Sequence, residues 1–99
     1  MKIQEALESY CIDIEDALDV SPFEFTNTLR VRDYLEQVKD ELSLSQKEEL
    51  RKSDQMLISK ANKLYQYLEP IKLWGNSIST EKWWWHLDKV ANKALNIRL

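Results

Sequence analysis

Ser21-Pro22-Phe23-Glu24 is the clearest helix start in this 99-residue chain. Serine is a preferred N-cap, proline is favoured at the first helical position, and a glutamate at the third position completes a capping box. Val20 is also spaced to pack against Phe25 as a hydrophobic staple across the same start. The quartet therefore predicts that one helix ends before residue 21 and that a second begins at residue 22.

Apolar residues on both sides of this start recur at helical spacing. Upstream, one face carries Ile3, Leu7, Tyr10, Ile14 and Ala17. Their steps of four and three residues are typical of a single buried helical stripe. Downstream, Val31, Leu35, Val38 and Leu42 share a face, whereas Phe25 and Leu29 point in another direction. The second helix is therefore either broken near residues 26–28 or packs its first two turns against a different neighbour.

Two more helices are predicted in the C-terminal half. Ser45-Gln46-Lys47-Glu48 has the pattern of a second capping box, and Pro70 is expected to end the helix that follows it. An apolar connector over residues 71–79 contains the only glycine and is expected to lie over the core. The face of the third helix would carry Leu50, Leu57, Ala61, Leu64 and Leu68, and that of the last helix Trp83, Leu87, Val90, Ala94 and Ile97.

The composition favours a few long helices over strands. One glycine and two prolines are too few for the tight reversals of an all-β domain. Short links between helices favour antiparallel neighbours. We therefore expect a single all-α domain over residues 1–99, an up-down antiparallel bundle of four helices at about 2–19, 22–42, 46–69 and 80–98.

Three consecutive tryptophans at residues 83–85 pose a geometric problem for the last helix. A helix turns about 100° per residue, so three adjacent side chains cannot all face one core. Trp83 and Trp84 are expected to flank the apolar face, whereas Trp85 would point away from it, between Lys82 and Lys89. Either the connector folds back over Trp85, or Trp85 is exposed and anchors a protein partner.

The first helix has an apolar residue on its charged side. Ile12 points away from the predicted core, and its neighbours on that side include Glu8, Glu15, Asp16 and Asp19. These residues and the surface around Trp85 are complementary in charge, so they could pair between two copies of the chain in a homodimer. The same acidic face could instead oppose the basic surface of another protein.

The residues used for metal binding and nucleophilic catalysis are scarce. The chain has one histidine, His86, and one cysteine, Cys11, without a second ligand at metal-binding spacing and without a glycine-rich phosphate loop. We therefore expect no enzyme activity, no metal and no cofactor. The single cysteine, the absence of a signal-peptide pattern and the absence of a long apolar run favour a cytoplasmic protein without a membrane span.

Charge is unevenly distributed along the chain. Residues 1–50 carry five Lys or Arg and thirteen Asp or Glu, which gives −8, and residues 51–99 carry nine and four, which gives +5. The sequence predicts a non-enzymatic protein–protein interaction module, either an adaptor or a small acidic inhibitor of another protein. The alternative is an accessory factor that binds single-stranded nucleic acid through its basic half with Trp85 as a stacking platform. The acidic N-terminal half disfavours that alternative.

Overall fold

The computed structural model describes residues 2–17, 19, 21–68, 78–95, 97 and 99, with residues 22 and 23 described by their backbone alone. Four helices pack together within this part of the chain, and the predicted all-α class is confirmed. The helices are α1 (Ile3–Glu15), α2 (Pro22–Gln37), α3 (Leu44–Leu68) and α4 (Leu87–Ala91), with 3₁₀ turns at Lys39–Glu41 and Trp83–Trp85. The full up-down order of the bundle stays a prediction.

Helices α2 and α3 begin with serine caps, one at the predicted place and one not. Ser21 caps α2 by accepting the Glu24 backbone N–H at 3.2 Å, with proline at the first helical position. The second cap is Ser43 and not Ser45, because Ser43 and Gln46 bond each other reciprocally at 2.9 and 3.1 Å. The predicted box at residues 45–48 is therefore wrong by two residues.

The second helix is continuous through residues 26–28, so of the two alternatives left open by the sequence the break is absent. Phe25 and Leu29 are fully buried, whereas Val31 and Val38 are only half-buried. The core face of α2 is thus rotated from the predicted apolar seam. Polar side chains on that face make the rotation possible, because buried Thr28 and Arg32 both find charged partners.

Helices α1 and α3 are parallel neighbours. Among the described residues, five hydrogen bonds between them join residues that are 42 to 46 positions apart, and this nearly constant offset requires the two helices to run in the same direction. The bonded pairs are Gln4 with Gln46, Tyr10 with Asp54, Cys11 with Ser53, and Lys60 with both Ile14 and Glu15. Helix α2 contacts α1, and α4 packs on α3.

The last segment is not the long helix that its sequence pattern predicts. Trp83–Trp85 form a 3₁₀ turn, His86 leaves helical geometry with φ −126° and ψ 47°, and α4 spans only Leu87–Ala91. Beyond α4, Lys93 has a positive φ of 57°, which ends the helical path. The predicted helix over 80–98 is therefore wrong, while Ala94 on its predicted seam is exposed.

Burial of the tryptophans explains the irregular path. All three indoles are buried, and none is more than 8% exposed. Burying one indole is worth about 4 kcal/mol or more, against about 1 kcal/mol for each helical hydrogen bond that an irregular backbone gives up. The packing of a third tryptophan therefore outweighs the continuity of the helix.

Candidate functional site

Trp85 lies inside the protein, so of the two alternatives left open by the sequence the exposed Trp85 is wrong. Its indole Nε1–H donates to Asp33 Oδ1 at 2.8 Å, and the same oxygen accepts the Nε1–H of Trp84, also at 2.8 Å. Trp85 is 8% exposed and packs in the core cluster. Residues 71–77 of the connector that was expected to cover it lie outside the described residues. Asp33 on α2 provides the partner that draws this third indole inward.

The surface expected around Trp85 is therefore not assembled. Lys82 is exposed and Lys89 is half-buried, and without the Trp85 ring between them they do not frame an apolar anchor. The proposed pairing of Ile12 with Trp85 between two copies loses its apolar anchor through the same burial, and a homodimer stays a prediction. The nucleic-acid alternative stays a prediction, although it no longer has Trp85 as a stacking residue.

A charged network lies at the centre of the bundle, where helical periodicity predicted only apolar contacts. Arg32 donates from Nε and Nη2 to the two carboxylate oxygens of Asp54 at 3.0 Å each, and from Nη1 to Glu36 at 3.2 Å. Its guanidinium carbon lies 4.2 Å from the centre of the Trp84 ring, in a cation–π contact. The network joins α2, α3 and the tryptophan turn.

Tyr10 extends the same network to α1. Its hydroxyl donates to Asp54 Oδ1 at 2.7 Å. Burial, reinforced by the Asp54 carboxylate, raises the pKa of Tyr10 well above its ordinary value. Burial also raises the pKa of Asp54, and the guanidinium and the hydroxyl offset part of that rise. The Tyr10 hydroxyl therefore keeps its proton and donates a hydrogen bond, and the Asp54 carboxylate accepts three hydrogen bonds.

This network is suited to holding helices in register. The charged groups are paired with one another, and a cavity of about 130 Å³ beside them has walls of both charge signs, including Lys39 and Glu81. Within the described chain, no group of three or more His, Cys, Asp or Glu residues is placed to hold a metal ion. Their hydrogen bonds to one another explain why Arg32, Asp54 and Tyr10 can be buried.

The outward side of α1 is exposed as the sequence predicts. Ile12 is 58% exposed, and Glu8, Glu15, Asp16 and Asp19 are exposed with it. Along a helix, Glu8 and Glu15 lie four residues before and three residues after Ile12, so the three side chains are neighbours. One large aliphatic side chain therefore stands in solvent among carboxylates.

Next to Ile12, α1 and α3 enclose a shallow hollow of about 360 Å³ on the side of the bundle that faces solvent. We call this hollow, together with the flanking Ile12, the outer groove. Its α3 side includes Met56, which is 38% exposed. The residues that line the hollow are Cys11, Glu15, Glu49, Lys52, Ser53 and Met56.

Cys11 on this groove is a protonated thiol and a poor nucleophile. Burial raises its pKa, while the Ser53 hydroxyl, which donates to Sγ at 2.9 Å, only partly opposes that effect. A thiol is activated by a lowered pKa and a neighbouring base or cation. Cys11 therefore lacks the lowered pKa of an activated thiol.

Sequence periodicity located Ile12 but missed Met56, Asp33, and the pair of Arg32 and Asp54. A signal for the pair was present, because Asp54 lies between Leu50 and Leu57 on the α3 core face. Arg32 likewise lies between Leu29 and Leu35 on the core face of α2. Opposite charges at core positions of two helices predict a buried pair.

None of the helices in the described ranges is long and apolar enough to cross a bilayer. Comparisons of the chain with protein-family models, with curated proteins and with solved structures give no match.

Proposed function

We propose that this chain is a non-enzymatic protein–protein interaction module that binds another protein through the outer groove. The observation that carries the proposal is Ile12, which is 58% exposed and directly follows Cys11, a lining residue of the hollow of about 360 Å³, on α1. Removing an exposed aliphatic side chain from water against a partner is favourable. An adaptor and a small acidic inhibitor are the two forms that this role could take.

The rest of the chain supports this role by holding the groove in place. Gln46 Nε2 donates to Gln4 Oε1 at 2.9 Å at one end of the paired helices, and Lys60 Nζ donates to the Ile14 carbonyl at 2.8 Å near the other. Because α1 is fixed to α3 at both ends, the groove is formed before a partner arrives. A preformed site loses less conformational entropy on binding.

The test is affinity capture with the purified chain as bait, comparing wild type with the variants Ile12→Gln and Leu44→Gln. Leu44 is the matched control because it is also an exposed aliphatic residue, 86% exposed, but it lies at the start of α3, before any α3 residue that lines the hollow. We expect a partner that is retained by wild type and by Leu44→Gln and is lost with Ile12→Gln. A partner retained equally by all three would contradict the use of this groove.

A further inference from the structure

We infer that the outer groove receives a cationic amphipathic helix of the partner protein, which inserts an aliphatic side chain between Cys11 and Met56. This inference rests on the proposed function and specifies the partner's chemistry. It follows from three properties of the groove, which are its shape, its apolar residues and its charge.

The groove has the shape that a helix fits. Helices α1 and α3 run parallel and in contact, so their outer sides form a straight channel. The 13 residues of α1 make the channel about 20 Å long at 1.5 Å per residue. A third helix laid along two packed helices is a common mode of recognition, with anchors at every third or fourth residue.

The apolar residues mark where the anchor enters. Met56 lines the hollow from α3, and Ile12 flanks it from α1. Methionine is unbranched and polarizable, so it adapts to the shape of an inserted side chain. An aliphatic anchor would therefore contact Met56 and the Cys11 thiol on entering the hollow, and would cover Ile12 at the rim.

The charges around the hollow select a cation. Glu15 and Glu49 line the hollow and are exposed, and exposed Glu8 lies one turn before Ile12 on α1, against one exposed base in the lining, Lys52. Lys60 does not balance them freely, because its ammonium donates to the Ile14 and Glu15 carbonyls at 2.8 and 2.9 Å. A second copy of this chain that presented the same face would bring the same acidic surface and would be repelled, whereas a Lys- or Arg-rich helix would be attracted.

Cys11 makes this inference directly measurable, because it is the only cysteine in the chain and lines the hollow. The probe is a synthetic amphipathic helix of leucine and lysine, and its matched control has glutamate in place of every lysine. We expect the lysine peptide to slow alkylation of Cys11 by a neutral maleimide several-fold. The glutamate peptide should not, and protection by the lysine peptide should weaken as salt rises.

Substitutions that leave the charge unchanged separate the groove from general attraction to an acidic protein. Ile12→Gln and Met56→Gln should each weaken binding of the lysine peptide about tenfold, as expected for losing one aliphatic contact. Leu44→Gln should leave the affinity unchanged. Circular dichroism spectra of all three variants should match wild type, because each site is on the surface.

Several results would overturn the inference. These are unchanged alkylation of Cys11 with the lysine peptide, equal protection by the glutamate peptide, or protection that survives Met56→Gln. Protection of Cys11 that grows with protein concentration without peptide would instead assign the groove to a second copy. A captured partner that is lost with Ile12→Gln but is not displaced by the lysine peptide would overturn this inference and leave the proposed function standing.

Discussion

Trp85 donates its indole N–H to Asp33 Oδ1 across 2.8 Å, which fixes the C-terminal segment to α2. The same carboxylate oxygen accepts the Trp84 indole, so one side chain of α2 orders two adjacent rings. Asp33 therefore explains how three consecutive tryptophans are all buried, which a regular helix does not permit.

Replacement of Trp85 by alanine should destabilise the protein by about 3–5 kcal/mol, the usual cost of removing a buried aromatic side chain. Urea denaturation followed by circular dichroism measures the loss. The control is Ile12→Ala, which removes an exposed side chain and should change the free energy of unfolding by about 0.5 kcal/mol or less. Equal small effects at both positions would show that Trp85 is not packed in the core.

Loss of one partner from the buried pair of Arg32 and Asp54 should destabilise the protein more than replacement of the whole network by apolar side chains. Arg32→Met or Asp54→Leu alone leaves a buried charge without its partner and should cost about 3–5 kcal/mol. The triple variant Tyr10→Phe/Arg32→Met/Asp54→Leu removes the whole network and should recover most of that loss, since an apolar replacement needs no hydrogen bonds. A triple variant whose loss of unfolding free energy equals the sum of the losses of the single variants would contradict this account.

Tyr10 should make the protein sensitive to alkaline pH. Its pKa in the folded state is raised well above 10.0 by burial and by Asp54, so the folded chain resists a deprotonation that the unfolded chain undergoes. The stabilising contribution of Tyr10 is therefore full below the ordinary tyrosine pKa of 10.0 and is lost as the pH rises from there towards the higher pKa of the folded state. Denaturant titrations at increasing pH measure this loss.

Tyr10→Phe provides the control for that titration. At neutral pH the variant should be less stable by about 2 kcal/mol, because the hydrogen bond to a carboxylate is lost. The difference between wild type and variant should narrow as pH rises above the ordinary tyrosine pKa. A difference that stays constant over the alkaline range would show that the Tyr10 hydroxyl is not protected in the folded state.

Ser43, which precedes α3, and Ser45, which lies in its first turn, should differ in their effect on stability. Ser43→Ala removes the side chain that accepts the Gln46 backbone N–H and should cost about 1 kcal/mol. Ser45→Ala changes an exposed position inside the helix and should be neutral or slightly stabilising, because alanine has the higher helix propensity. Thermal or urea denaturation of both variants decides between residues 43 and 45 as the helix start.

Periodicity predicted the parts of this fold in which apolar residues alone determine burial. The core faces of α1 and α3 follow the predicted stripes, and Leu7, Tyr10, Leu57 and Leu64 are fully buried. The cap at Ser21 was also predictable, because it depends on residues that are adjacent in sequence. Local signals of this kind do not depend on how the helices pack.

Periodicity failed where a polar partner on another helix changes what can be buried. Arg32 belongs to the core only because Asp54 and Trp84 are there to receive it, and Trp85 turns inward only because Asp33 accepts its indole. Such partners are distant in sequence, so the pattern around each residue does not contain them. The outer groove illustrates the same limit, since Ile12 was predicted but Met56 beside it depends on the packing of α1 against α3.

The parallel arrangement of α1 and α3 has a consequence for the chain as it is synthesised. Tyr10 leaves the ribosome 44 residues before Asp54, its hydrogen-bond partner. Until α3 has been translated, the apolar stripe of α1 has only α2 to cover it. The core can therefore be completed only after α3 has left the ribosome, and a nascent chain that ends before α3 exposes apolar surface of α1 that the finished fold buries.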